Sequence, residues 1–267
     1  MAIYTQLNKL WRIVGTGLAF AYFGIGAAIL GNIYMLAIRL RYRDPILRRK
    51  YSQRSIQLCF HSFVATLKFL RIIDYKIEGV ELLQQDKGCL IVANHPSLID
   101  YVLLGSVLPE MDCVVKEALF HNPFCKMVVK NAGYIANSAD PQQLLASCKQ
   151  RLAQGGKLLI FPEGTRTPLH SEGLKLQRGA ANLAIRCQVP MRIVHIVCEP
   201  RSLSKEQAWY QVPERKSFFY VKVQELYDIA PYLAEDVPES KAVRRLNRDL
   251  ANLLQPTVDM IELTRKL

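Results

Sequence analysis

Two kinds of apolar pattern divide the chain. From Ile13 to Ile38, 26 positions run without a charge, and a helix of that length exceeds the roughly 30 Å hydrocarbon core of a bilayer. The run is too long, and its following flank too basic, for a cleaved signal peptide. Trp11, Tyr22 and Tyr34 suit the interfaces. Gly15, Gly17, Gly24, Gly26 and Gly31 form small-residue faces, read either as a helix–helix contact or as the glycine tolerance of membrane helices. From Tyr51 to Ile73 the pattern changes. Ile56, Phe60, Phe63, Val64, Leu67 and Leu70 recur at spacings of three and four, with Arg54, Lys68 and Arg71 between them. That is an amphipathic helix, placed either in the headgroup layer or against the domain that follows.

Beyond it, short apolar runs alternate with helical patterns. Cys89–Ala93, Cys113–Val115, Lys157–Phe161 and Arg192–Val197 read as buried strands. Pro96–Gly105 and Pro141–Gln154 each open on proline, the second ending at Gly155-Gly156; Gly173–Arg186 and Glu239–Leu254 carry two further helices. The alternation predicts an α/β fold, a mixed sheet flanked by helices and preceded by an N-terminal transmembrane helix and a basic amphipathic helix. The divisions are a membrane anchor with its basic flank at 1–44, the amphipathic helix at 45–75 and the main domain at 76–267.

Charge sharpens this picture. The 267 residues carry a net +12, and residues 1–73 hold eleven Lys/Arg against the single acid Asp44. A nucleic-acid enzyme spreads its cations over the binding domain; here they crowd the most apolar segment, which points to anionic lipid headgroups and to no nucleic acid. The six cations Arg39, Arg41, Arg43, Arg48, Arg49 and Lys50 after the apolar run predict a single span with the following domain on the cytoplasmic face, in a bacterial inner membrane; a re-entrant or interfacial placement is the alternative. Seven cysteines without a C-x-x-C pair read as reduced, mostly buried thiols.

Candidate chemistry follows three of the strands: Asn94-His95-Pro96-Ser97-Leu98-Ile99-Asp100, then Lys116-Glu117, then Pro162-Glu163-Gly164-Thr165-Arg166. Sites in open α/β sheets form beyond the carboxyl ends of strands. A carboxylate at Asp100 can fix one nitrogen of His95 and leave the other as a general base. No G-x-S-x-G elbow supplies a protein nucleophile, so the base acts on a substrate hydroxyl or on water. Gly164 suits a tight turn, Arg166 a bidentate grip on phosphate and Lys116 a point charge. His195, within a strand run, reads as a core histidine. No metal-ligand spacing occurs, and no metal is expected.

Asn94-His95-x4-Asp100 (N-H-x4-D) and Phe161-Pro162-Glu163-Gly164-Thr165-Arg166 (F-P-E-G-T-R) together resemble the motifs of the glycerolipid acyltransferase family, typified by 1-acylglycerol-3-phosphate acyltransferases. The resemblance spans roughly residues 55–230. It implies acyl transfer from an acyl carrier protein or coenzyme A thioester to a hydroxyl of a membrane-resident acceptor, with no cofactor. His95 would be the base and Asp100 its orienter. Glu163, Gly164, Thr165 and Arg166 would hold the acceptor, with Asn94, Ser97 and Lys116 also on the substrate side. One family motif departs: Gly133-Tyr134-Ile135 is followed by Ala136-Asn137-Ser138-Ala139, without the usual arginine, and the fourth motif survives loosely as Val189-Pro190-Met191. The acceptor is left open between lysophosphatidate, another lyso-lipid, an amino-acid lipid and other hydroxylated amphiphiles. Hydrolysis of a thioester or lipid, and non-catalytic lipid binding, are the competing readings.

Overall fold

The computed structural model describes residues 2–137, 140–169, 173–234 and 237–266; the motif positions Ser138 and Ala139 lie outside them. Helix α1 (Ala2–Ile29) passes through a π-turn at Leu30–Tyr34 into α2 (Met35–Arg41) and is followed by α3 (Pro45–Phe69). The order continues β1 (Ile73–Glu78), α4 (Val80–Gln85), β2 (Cys89–Ala93), α5 (Asp100–Val107), β3 (Asp112–Lys116), α6 (Lys126–Asn131), β4 (Ile135–Asn137), α7 (Pro141–Ala153) and β5 (Lys157–Ile160). It closes with α8 (Gly179–Cys187), β6 (Met191–Glu199), β7 (Ser217–Tyr227), α9 (Glu239–Leu253) and α10 (Val258–Lys266).

The strands form one sheet in the order β1-β7-β6-β2-β5-β3-β4. Among the described residues, only the β6–β7 pairing is antiparallel. Side chains of a strand alternate between faces. Ile91, Ala93, Leu159, Val194 and Ile196 meet Phe63 of α3 and Leu103 of α5 on one face. Leu90, Val92, Leu158, Met191 and Ile193 meet Cys148, Ala180 and Leu246 of α7, α8 and α9 on the other. β2 is therefore buried on both sides, which explains its unbroken apolar sequence. Burying each Leu, Ile or Val there contributes about 1.5–3 kcal/mol.

Two predicted helices begin later than expected. Pro96–Ile99 stays out of α5 because the Ser97 N–H donates to Asp100 Oδ2 at 2.7 Å, curling the segment around the carboxylate. Residues 173–178 stay out of α8, and the Gln177 N–H donates to Pro162 O at 2.7 Å, drawing the approach to the helix toward the loop after β5. Helix α7 starts as read: Pro141 is in its first turn and Asp140 Oδ1 accepts from the Gln142 N–H at 2.9 Å.

The N-terminal helical segment is long and apolar enough to cross a membrane by length and composition. It is also docked along its length. Trp11 Nε1 donates to Leu70 O at 2.9 Å, and Arg12 donates to Glu214 O. Phe20 and Phe23 stack on Phe63 and Phe60 of α3. Met35 O accepts from Asn131 Nδ2 of α6 at 2.8 Å. Gly31 is required at that end, since a Cβ there would lie 2.7 Å from Phe124 O. The opposite face carries an exposed apolar stripe that includes Leu7, Leu10, Val14, Leu18, Ile25 and Ile33. A helix that is apolar all round thus has one side on protein and one facing out. Helix α3, the expected amphipathic helix, buries Ile56, Phe63, Val64 and Leu67 against the domain.

Charged groups at the amino ends of the strands are paired. Arg192 Nε and Nη2 grip Asp86 Oδ2 and Oδ1 at 2.7 and 2.5 Å, with both side chains only 7% exposed. Lys157 Nζ donates to Leu83 O at 3.0 Å. His195 is buried, its Nε2 2.6 Å from Leu253 O and its Nδ1 3.1 Å from Gln224 Nε2. Both bonds suit the neutral ring, and burial pushes its pKa below the ordinary value. The unfolded chain therefore binds a proton that the folded site refuses. Stability is full above about pH 6.5 and falls as pH drops through the imidazole range. In urea melts between neutral and mildly acidic pH, His195→Gln should flatten that part of the slope; an unchanged slope would remove His195 from the effect.

Candidate active site

The carboxyl ends of β2, β3 and β5 lie side by side in the sheet, and the three polar clusters leave from them. β2 delivers Asn94 and His95. The Asn94 amide bonds both ways to Ile196 on β6, its Oδ1 accepting from the backbone N–H at 2.7 Å and its Nδ2 donating to the C=O at 2.8 Å. This staples the end of β2 to its neighbour. His95 then turns out of the strand with its side chain 17% exposed, and its Nδ1 lies 2.9 Å from Asp100 Oδ2. Asp100 is fully buried, and Oδ1 has no hydrogen-bond partner among the described residues. Burial pushes the Asp100 carboxyl up, while His95, the Ser97 N–H and the Arg201 charge act in the opposite direction. A carboxylate so poorly solvated gains most when the ring beside it becomes an imidazolium.

The loop after β5 holds the histidine from the other side. Phe161 leaves the ladder, where a strand position was expected, and its ring stacks on His95 at 4.1 Å between centroids and 20° between planes. Glu163 Oε1 accepts from the His95 N–H at 2.7 Å, and the Thr167 N–H donates to His95 O at 2.7 Å. Both backbone groups of His95 are thus gripped by residues 163–167. Gly164 makes the turn at φ +68°, a value that a Cβ would strain. Arg166 Nη1 donates to Leu203 O and Ser204 O at 2.8 and 3.1 Å. Ser97 Oγ donates to Ser202 O at 2.9 Å.

Beside this frame lies a cavity of about 1050 Å³, large for a small-molecule site. His95, Lys116, Asn137, Gly164 and Thr165 contribute to its wall from the strand ends, and most of the rest is apolar, including Phe23, Gly24 and Ala27 of α1 and Phe60 of α3. Lys116 and Asn137 are register partners across β3 and β4. Lys116 is exposed and makes no hydrogen bond or ion pair among the described residues. Asn94, Ser97, Glu163 and Arg166 do not line the cavity. The structure brings together all three clusters, but these four side chains face the protein frame, whereas the sequence reading set them toward substrate. Tyr101, Tyr134 and Cys113 line the cavity unforeseen. The two phenols are 3.3 Å apart and half-buried, and desolvation pushes both up in pKa. Their one sequence signal was Tyr134 within the Gly133-Tyr134-Ile135 motif.

Residues 74–197 match the family model described as Acyltransferase. Human 1-acyl-sn-glycerol-3-phosphate acyltransferase beta is 29% identical over 187 residues, which are 66% of this chain and 64% of that protein. The 1-acyl-sn-glycerol-3-phosphate acyltransferase of Helicobacter pylori is 33% identical over 116 residues, covering 40% of this chain and 49% of its own length. The chain thus spans less than two thirds of these curated relatives. The crystal structure of the 1-acyl-sn-glycerophosphate (LPA) acyltransferase PlsC from Thermotoga maritima shares the fold, with a TM-score of 0.66 and 22% identity over 92% of this chain and 99% of that one.

Proposed function

We propose, from the match of residues 74–197 to the Acyltransferase family model, that the protein moves a fatty acyl group from an acyl carrier protein or coenzyme A thioester to a hydroxyl of a lysophospholipid-like acceptor. One observation carries the reading: a histidine oriented by a buried carboxylate opens onto a large apolar cavity. Asp100 accepts from His95 Nδ1–H, which leaves Nε2 to take the acceptor's hydroxyl proton as its oxygen attacks the thioester carbonyl. The tetrahedral intermediate expels the thiolate, and the imidazolium returns the proton to the sulfur. The acyl chain occupies the cavity between the sheet, α3 and α1. Lys116 and Asn137, at the strand ends where the family's arginine is missing, meet the acceptor's headgroup. Asn94, Ser97, Glu163 and Arg166 act as positioning residues.

The contacts of α1 support an interfacial seat. A crossing helix that kept its bonds to Leu70, Glu214 and Asn131 would drag a charged domain into hydrocarbon. Lying along the headgroup boundary, the same helix buries its outer stripe and keeps every contact.

The direct test incubates the purified protein with both thioester types and a panel of lyso-lipids, with products identified by mass spectrometry. A new acylated lipid, with free fatty acid suppressed by the matched acceptor, is the expected result. Free fatty acid formed regardless of acceptor would make the protein a hydrolase. Chain length gives a second test. A Cβ at Gly24 would meet nothing within 4 Å, so Gly24→Leu, and with it Ala27→Leu, should shorten the cavity. Each methylene shut out should cost about 0.8 kcal/mol, or roughly fourfold in kcat/KM for long donors, with short donors unaffected. An unaltered chain-length profile would place the acyl chain elsewhere.

A further inference from the structure

We propose that the loop at 205–216 is a second membrane-inserting element, which sets the Trp209 and Tyr210 rings into the lipid interface beside α1. The inference rests on the interfacial seat of α1 and goes beyond it, because this loop lies far along the chain from the apolar helix. Trp209 is 47% exposed and Tyr210 55%, although large aromatic side chains are usually covered. The two rings meet edge to face, with centroids 5.7 Å apart. The inner edge of the indole rests on α1, where a Cβ at Gly17 would lie 3.2 Å from the ring. The aromatic pair is therefore continuous with the outer stripe at Leu10, Val14 and Leu18.

The loop is built to hold that pose. Ser204 N–H donates to Gln207 Oε1 at 3.0 Å, and Ala208 N–H donates to Gln211 Oε1 at 2.7 Å. The backbone closes at Gln207 N–H to Ser204 O and Gln211 N–H to Ala208 O. Arg12 of α1 ties the far side at Glu214 O. The indole N–H of Trp209 and the hydroxyl of Tyr210 have no protein partner among the described residues. An aromatic body with an unclaimed polar edge suits the headgroup boundary. A soluble partner would meet this patch only across a stripe that lipid already covers.

The chain's two tryptophans, Trp11 on α1 and Trp209 on the loop, allow the two ideas to fail separately. Full-length Trp11→Phe and Trp209→Phe each leave one reporter. Both would be incorporated into phosphatidylglycerol–phosphatidylcholine vesicles carrying bromine near the headgroup end of the acyl chains. Emission from Trp209 should fall about twofold, as should that from Trp11. Quenching of Trp11 with Trp209 unquenched, and open to aqueous iodide, would overturn the loop proposal and leave the seat of α1 standing. No quenching of either would overturn both. Trp209→Ser combined with Tyr210→Ser should weaken partitioning to the same vesicles about tenfold with the fold retained; undiminished partitioning would reduce the pair to a cover for α1.

Discussion

His95→Ala should lower kcat by about 10²–10⁴-fold and leave the fold in place if the ring takes the acceptor proton as proposed. Its side chain supports little packing beyond Phe161, so circular dichroism should match the parent, while loss of the bond to the buried Asp100 should cost about 1–3 kcal/mol in a thermal melt. Asp100→Asn should be nearly as damaging, on the order of 10³-fold, and by a different route. An amide offers its NH₂ or its C=O to His95 Nδ1, and neither supplies the negative charge by which a carboxylate stabilises the imidazolium. The carboxylate also accepts from the Ser97 N–H at 2.7 Å, so the amide variant loses some loop order as well. The two defects should not add, since they break one unit. Full activity in His95→Ala would sink the assigned base.

Arg192→Met should destabilise the fold by about 3–5 kcal/mol, the cost of leaving the Asp86 carboxylate buried and unpaired. The guanidinium also donates from Nη1 to Gln224 O at 2.8 Å, so the substitution unpins β6 from β7 too. Exchanging both partners for apolar residues, Asp86→Leu with Arg192→Met, should recover most of the loss. Denaturant midpoints in one detergent would measure both. A loss below about 1 kcal/mol would mean that water reaches the pair and screens it. This pair lies at the amino ends of the strands, so kcat of the folded fraction should be little changed.

Much of the central sheet was legible in the chain. β2, β5 and β6 are buried on both faces, and a doubly buried strand shows as an apolar run. β1 and β7 escaped the reading because Ile73–Glu78 is an edge strand with a half-exposed pattern, and β7 mixes aromatics with Lys222, Gln224 and Glu225. The convergence of the three clusters was readable, since polar residues directly after buried strands leave from one edge of the sheet. The direction in which each side chain points was not. Asn94 looked like a substrate ligand, yet its amide completes a backbone pairing with Ile196. Nothing in a linear string says whether a polar group beyond a strand end turns to the cleft or to the next strand. The N-terminal helix shows the same limit. Its apolar string does not say which face rests on protein, through Phe20, Phe23 and Met35.

The grip of residues 163–167 on the His95 peptide has a consequence for how such chains can vary. Segments 68 residues apart in sequence, one giving the base and one giving the struts at its N–H and C=O, form a single mechanical part. A change at Glu163 should register as a slower chemical step, and raising the acceptor concentration should not rescue it. Drift in either segment is then constrained by the other. A lineage free to change its acceptor would do so at Lys116, Asn137 and the cavity wall, and leave the splint around the histidine alone.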